Sequence, residues 1–174
     1  VEFGDRILWT TASIGVAFAP ADGSNSEQIL RCADLALGRA KLLRNCVRFF
    51  STEMDASFRD RMQLEQAIIR AVAENGFVLH YQPIVAARDA ELLGFEALIR
   101  MKADGARLVS PADFIPAAED MALLGQIGAW ALKEACRAAV TWPRHLFVAV
   151  NLSPTQFGNG SIAALVAKTI DETG

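Results

Sequence analysis

An α/β fold is predicted for the greater part of this chain, and three observations predict it. Short apolar runs alternate with longer segments whose apolar residues recur every three or four positions, as strands alternating with amphipathic helices do. Turn and capping residues mark the changes of pattern, as at Asp22-Gly23, Asn75-Gly76 and Ser110-Pro111. A hydrophobic content of 52% is ample for a packed core, while 21% charged residues is ordinary for a soluble protein.

The first segment reads strand, turn, helix, strand. Ile14 to Ala19 is an apolar run closed by Pro20 and the Asp22-Gly23 turn. Asn25 or Ser26 can cap a helix whose apolar face runs Ile29, Ala33, Ala36, Leu37 and Ala40. Val47 to Phe50 follows as a closing strand. Residues 51–59 are polar and unpatterned, which predicts a linker there and a domain boundary with it.

A second region begins near Asp60. Leu64, Ala67, Ile68, Ala71 and Val72 share a helical face, and Asn75-Gly76 supplies the stop. Phe77–Val85 and Leu92–Met101 are expected as two strands joined by a short polar turn. Ser110-Pro111 is a helix start, with proline at the first helical position, and Pro116 is expected to interrupt that element. A longer helix is predicted from about Leu123 to Val140, and a third strand over Phe147–Leu152. Ser153 to Gln156 has the proline and the S-x-x-Q pattern of a capping box, and Ile162, Leu165, Val166, Thr169 and Ile170 trace the last helix.

Charge and cysteine usage narrow the function classes. A net charge of −3 gives no electrostatic basis for non-specific nucleic-acid binding. Cys32, Cys46 and Cys136 form no C-x-x-C pair, so structural zinc and a disulfide framework are not expected, and a reducing compartment fits best. No apolar run reaches the length of a membrane span, about 18 residues. The chain begins at Val1 without methionine and stops at Gly174 as a helix finishes, so both ends are expected to continue. Any membrane anchor is expected in segments outside this sequence.

The strand containing Phe95-Glu96-Ala97-Leu98-Ile99-Arg100 carries the first candidate chemistry. Side chains alternate across a strand, so Leu93, Phe95, Ala97, Ile99 and Met101 form an apolar face and Glu96, Leu98 and Arg100 share the other. Four positions along a strand span about 13 Å, too far for Glu96 and Arg100 to pair directly. Each then needs a partner of its own. A carboxylate facing a cavity can hold a hard divalent cation, and a guanidinium suits phosphate. The same alternation also describes an ordinary half-buried strand with a solvated outer face. On the preceding strand, His80 and Gln82 share a face with Val78 and Ile84. Asn151 lies at the end of the third strand, where α/β folds build their sites, and it can serve either as an oxygen ligand or as a turn former.

Taken together, these segments resemble the EAL domain family. The run FVLHYQPIV resembles the family's first strand, FEALIR its E-x-L-x-R signature, SPADFIPAAED its substrate-loop and helix segment, and VAVNLSPTQF its V-N-L-S strand end. The resemblance implies an incomplete TIM-like barrel over residues 60–174, with one antiparallel strand. It implies metal-dependent hydrolysis of cyclic di-GMP to the linear dinucleotide by metal-activated water, using magnesium or manganese. It also implies that Glu96 and Asn151 are catalytic metal ligands, that Arg100 holds a phosphate, and that Gln82, Leu98 and Pro111 line the bound dinucleotide. His80 is not in the motif and is expected in the core or at the rim. The family site takes further acidic residues and a lysine from later strands, so residues 1–174 alone are expected to be inactive. A homodimer through the complete domain and a cytoplasmic setting are implied as well.

Residues 1–50 are expected to be an α+β fragment, the C-terminal part of a GGDEF (diguanylate cyclase) domain. TASIGVAFAP is similar to that family's S-I-G strand and CADLALGRAK to its A-D-x-A-L-Y-x-A-K helix. Gly38 stands where that family has tyrosine. The following tail is shortened to AKLLRN, which puts Lys41 and Arg44 out of register for phosphate and implies a degenerate, regulatory domain. The two cations can equally decorate a helix end. The leading expectation for the whole is a phosphodiesterase. The alternatives are an inactive EAL domain that senses cyclic di-GMP, or one that only binds other proteins.

Overall fold

The computed structural model describes residues 2–3, 6–7, 10–103, 107–154 and 161–174. It divides into two units, Val1–Gln63 and Leu64–Gly174. In the first, two short strands, β1 (Glu2–Phe3) and β2 (Arg6–Ile7), pair antiparallel. At two residues each they are too short to show an alternating pattern, and neither is predicted from the sequence. Next come β3 (Ile14–Val16), helix α1 (Ser26–Leu43) and β4 (Val47–Phe49), in the predicted order. The strands β3 and β4 are parallel, with Ile14 opposite Val47. Asn25 is the cap: its side-chain oxygen accepts from the Gln28 backbone N–H at 2.9 Å. Small buried residues on α1, Cys32, Ala36 and Ala40, let the helix lie close on the sheet. At Gly15 a Cβ would sit 2.2 Å from the Ala33 carbonyl oxygen, so only glycine fits beneath that helix.

Residues 51–59 are not an irregular linker. Helix α2 (Thr52–Glu74) includes all of them but the first. It begins about eight residues earlier than the apolar periodicity suggests, because its first turns use local polar support in place of a buried stripe. Arg59 Nη2 meets Asp55 Oδ2 at 2.8 Å, one helical turn away. Glu53 and Asp55 place negative charge in the first turn, which suits the helix dipole.

The second unit starts with the apolar end of α2, where Ile68 and Ala71 are buried. Asn75 adopts φ 55°, and the Gly76 N–H bonds the Ala71 carbonyl at 2.8 Å, which ends the helix as predicted. Strands β5 (Phe77–Val85) and β6 (Leu92–Lys102) form a long antiparallel pair. The short β7 (Leu108–Val109) pairs with the end of β6. Helices α3 (Pro111–Asp120) and α4 (Leu124–Ala139) lead to β8 (Phe147–Val150), which runs parallel to β6, and α5 (Ser161–Thr173) follows. The result is mixed α/β.

The core of this unit lies on the apolar side of the sheet. Phe77 faces Phe114 at 6.0 Å and Trp130 at 5.5 Å between ring centres, and Met101, Phe114 and Ile68 are fully buried. Ala97 and Met101 of β6 are buried, while Leu93, at the start of the same face, is exposed. Pro116 does not interrupt α3. The carbonyl it leaves unpaired belongs to Ala112, which is exposed and can be hydrated, while Phe114, Ala117 and Ala118 hold the helix down. The third strand stops at Val150, two residues short of its predicted end. The capping pattern at Ser153–Gln156 runs into residues 155–160, outside the described residues. Among the described residues no helix is long and apolar enough to cross a membrane.

Candidate functional site

The register of the sheet determines which predicted residues meet. Gln82 is opposite Glu96, His80 opposite Leu98, and Val78 opposite Arg100. Opposed residues project to the same side of a sheet. This row therefore faces away from the side of β6 that carries buried Ala97 and Met101. On the other edge of β6, Ala149 is opposite Glu96 and Val150 opposite Ala97. Asn151, two residues beyond Ala149, returns to the Glu96 side.

Asn151 and Glu96 make direct contact. The Asn151 Nδ2 donates to Glu96 Oε1 at 2.7 Å. Glu96 is half-buried and Asn151 exposed. Among the described residues no cation pairs with Glu96, so a negative charge sits at the sheet face with only an amide dipole beside it. Both side chains carry oxygen, the donor a hard divalent cation takes. Rotating the Asn151 amide exchanges its nitrogen for its oxygen, converting the hydrogen bond into a pair of oxygens on one point. The donor chemistry therefore fits such a cation. Among the described residues, however, no group of three or more His, Cys, Asp or Glu side chains gathers here.

Arg100 is separate from that pair, as the strand spacing requires. It is half-buried, and its Nη1 donates to the adjacent Ile99 carbonyl at 2.8 Å. Among the described residues it has no carboxylate partner, which leaves charged N–H groups available to an anion. Gln82 and His80 are both exposed, so His80 lies at the rim and not in the core.

Leu98 and Pro111 are joined with Asn151 by a cavity of about 550 Å³. Most of its wall is apolar, contributed by Ala97 and Ile99 from the sheet and by Ile115, Ile127 and Ala131 from the helices. The cavity is thus lined in part from the side of β6 opposite the Glu96 row, through Ala97 and Ile99, and Pro111 borders it without belonging to that row. Ser153 and Pro154 also border it. Nothing in their local pattern signals this, because the capping motif explains both residues without reference to a cavity.

Behind the site, Trp142 fixes the two strands. Its ring packs edge-on against Tyr81, with 5.2 Å between ring centres, and at a tilt against Phe95, with 4.9 Å between centres. Burial pushes the Tyr81 hydroxyl above its ordinary range, and the nearby Glu134 carboxylate adds to the effect.

This sheet face, with a carboxylate and an amide at one point and an uncommitted arginine further along the strand, lies within residues 64–174, which match the EAL domain family. The chain belongs to the EAL domain family. A Caulobacter vibrioides protein described as an uncharacterized signaling protein is 41% identical over 100% of the chain, which spans 22% of that relative. The Pseudomonas aeruginosa protein MucR, described as a bifunctional diguanylate cyclase/cyclic di-GMP phosphodiesterase, is 36% identical over 92% of the chain, which spans 24% of it. The chain therefore spans less than a quarter of either curated relative. A solved structure described as the PaMucR phosphodiesterase in complex with c-di-GMP superposes with a TM-score of 0.59 at 35% identity, covering 64% of this chain and 47% of that one.

Proposed function

We propose that this chain supplies the opening part of a cyclic di-GMP phosphodiesterase site within a longer GGDEF–EAL protein. The observation that carries the reading is the Asn151–Glu96 contact at 2.7 Å, on the face that also bears Gln82, Leu98 and Arg100. The resemblance to MucR over 92% of the chain supports a GGDEF fragment before the EAL region, since that relative is described as having both activities. It likewise supports an EAL part that continues as a TIM-like barrel beyond Gly174.

In this reading Glu96 and Asn151 hold magnesium or manganese through oxygen. A divalent cation bound there would supply charge neutralisation at the scissile phosphate and lower the pKa of water. Arg100 fixes a phosphate through its planar fork, which orients the phosphodiester for in-line attack. Gln82 contributes an amide to the nucleotide, and Leu98 and Pro111 exclude water from its apolar edge. The remaining acidic ligands and the lysine come from later strands. The complete domain acts as a cytoplasmic homodimer, and any membrane attachment comes from upstream segments.

A second reading uses the same Glu96, Arg100 and Asn151 without the later metal ligands. An EAL domain lacking the later ligands would bind the nucleotide as a sensor and not hydrolyse it. One experiment separates the readings. Full-length protein is incubated with cyclic di-GMP and magnesium, and the linear dinucleotide is measured by chromatography. Product formed by the wild type and lost in Glu96→Ala supports the phosphodiesterase. Binding without product supports the sensor, and absence of binding overturns both.

A further inference from the structure

We infer that His80 is a ligand-contacting residue of this site, its ring forming with Leu98 the floor across which a purine nucleotide lies between Glu96 and Arg100. The inference rests on the cyclic di-GMP reading above and adds a residue outside the motif that suggested it. Its basis is register. His80 is opposite Leu98, flanked by the Gln82–Glu96 pair on one side and the Val78–Arg100 pair on the other. Glu96 and Arg100 stand about 13 Å apart along the strand, with Leu98 midway. A ligand that reaches both must cross Leu98, and the Cβ of its opposed neighbour is about 5 Å away.

The surroundings of His80 give it no other task. Among the described residues it is exposed and has no hydrogen-bonding or ionic partner. Its neighbours in the row on β5 are Val78, which offers only an apolar surface, and Gln82, which offers only an amide. His80 brings a flat ring, suited to stacking on a base, and two nitrogens able to meet polar edges. A purine can therefore rest on Leu98 and His80 together while its phosphates are engaged further along the strand.

The test measures the dissociation constant of cyclic di-GMP by titration calorimetry on the full-length protein, with chelator present so that turnover does not consume the ligand. Wild type, His80→Ala, His80→Phe and Arg100→Ala are compared. His80→Ala is expected to weaken binding about tenfold, and His80→Phe, which keeps a flat ring, to stay within about threefold of wild type. Wild-type affinity in His80→Ala, with Arg100→Ala weakened, overturns the His80 assignment and leaves the site reading standing. Equal losses in His80→Ala and His80→Phe overturn the stacking role. A wild type that does not bind at all overturns the site reading itself. Melting temperatures of the variants serve as the folding control, so that a loss of affinity is credited to His80 only where the variant melts as the wild type does.

Discussion

The side-chain amide of Asn151 donates to the carboxylate of Glu96 at 2.7 Å, across 55 residues of sequence. Neither side chain is held by any other described partner, so the two position each other. The two ends are not equivalent, because Glu96 brings a charged oxygen and Asn151 a neutral one. In the full-length protein, Glu96→Ala is expected to lower turnover of cyclic di-GMP by a factor on the order of 1000. Asn151→Ala, which removes a neutral oxygen donor and leaves the carboxylate, is expected to lower it by roughly 10–100-fold. Steady-state rates with saturating magnesium check both, and a milder effect at Glu96 than at Asn151 would reverse the assignment. Chelation by EDTA should abolish turnover, with magnesium restoring it.

Arg100 has a different signature. Among the described residues its guanidinium bonds only the adjacent backbone carbonyl of Ile99, so its truncation leaves no described carboxylate stranded. Losing a charged hydrogen bond to phosphate corresponds to roughly a 10–100-fold weaker dissociation constant. Arg100→Lys should recover only part of this, because an ammonium lacks the planar fork. Calorimetric titration with cyclic di-GMP distinguishes the three proteins, and full affinity in Arg100→Ala would remove its phosphate role.

Gly94 controls how closely β8 approaches β6. A Cβ at this position would lie 2.3 Å from the Phe147 carbonyl oxygen. That oxygen is backbone within the parallel pair and cannot swing aside as a side chain does. Gly94→Ala is therefore expected to cost about 2 kcal/mol or more in stability and to separate Asn151 from Glu96. Chemical denaturation measures the first effect. A loss of turnover larger than the loss of folded protein would reveal the second.

The contact between α4 and α5 should depend on pH. Lys133 Nζ meets Glu172 Oε2 at 2.7 Å and, with Lys168 beyond it, holds the Glu172 carboxyl below the usual carboxylate range. A carboxyl lowered in the folded state adds stability above its unfolded value, about 4.3, and loses it as the pH falls through the folded value. Glu172→Gln should therefore melt slightly below the wild type at pH 7. The two curves should converge under acid conditions and also in high salt, which screens an exposed pair. A gap that persists below pH 3 would point to packing and not charge.

Elements with a strong apolar period could be read from the chain almost to the residue. β5 matches its predicted limits, β6 extends one residue beyond them, and α4 loses one at each end. The start of α2 is illegible in the sequence because its first turns are polar and carry the Asp55–Arg59 pair in place of an apolar stripe. Pro116 misled for a related reason: a broken backbone hydrogen bond matters little where its carbonyl meets water. Alternation within β6 placed Glu96, Leu98 and Arg100 on one face. It could not show that β8, distant in sequence, lies beside β6, because strand adjacency is a tertiary choice. The meeting of Asn151 with Glu96 and the shared row of His80 and Leu98 both depend on that kind of information.

The parallel pairing of β6 with β8 also has a consequence for the order of assembly. β5 and β6 are joined by a short turn and can pair as a local hairpin, whereas β8 must return across the whole stretch containing α3 and α4. Closing that longer loop costs more chain entropy and slows the step that depends on it. The Glu96–Asn151 contact can form only once this return is complete, so the hairpin gathers Gln82, Glu96 and Arg100 first and acquires the asparagine last. In a refolding experiment, a reporter beside Asn151 should lag behind one placed across the β5–β6 hairpin, and ligand-binding competence should rise with the slower signal.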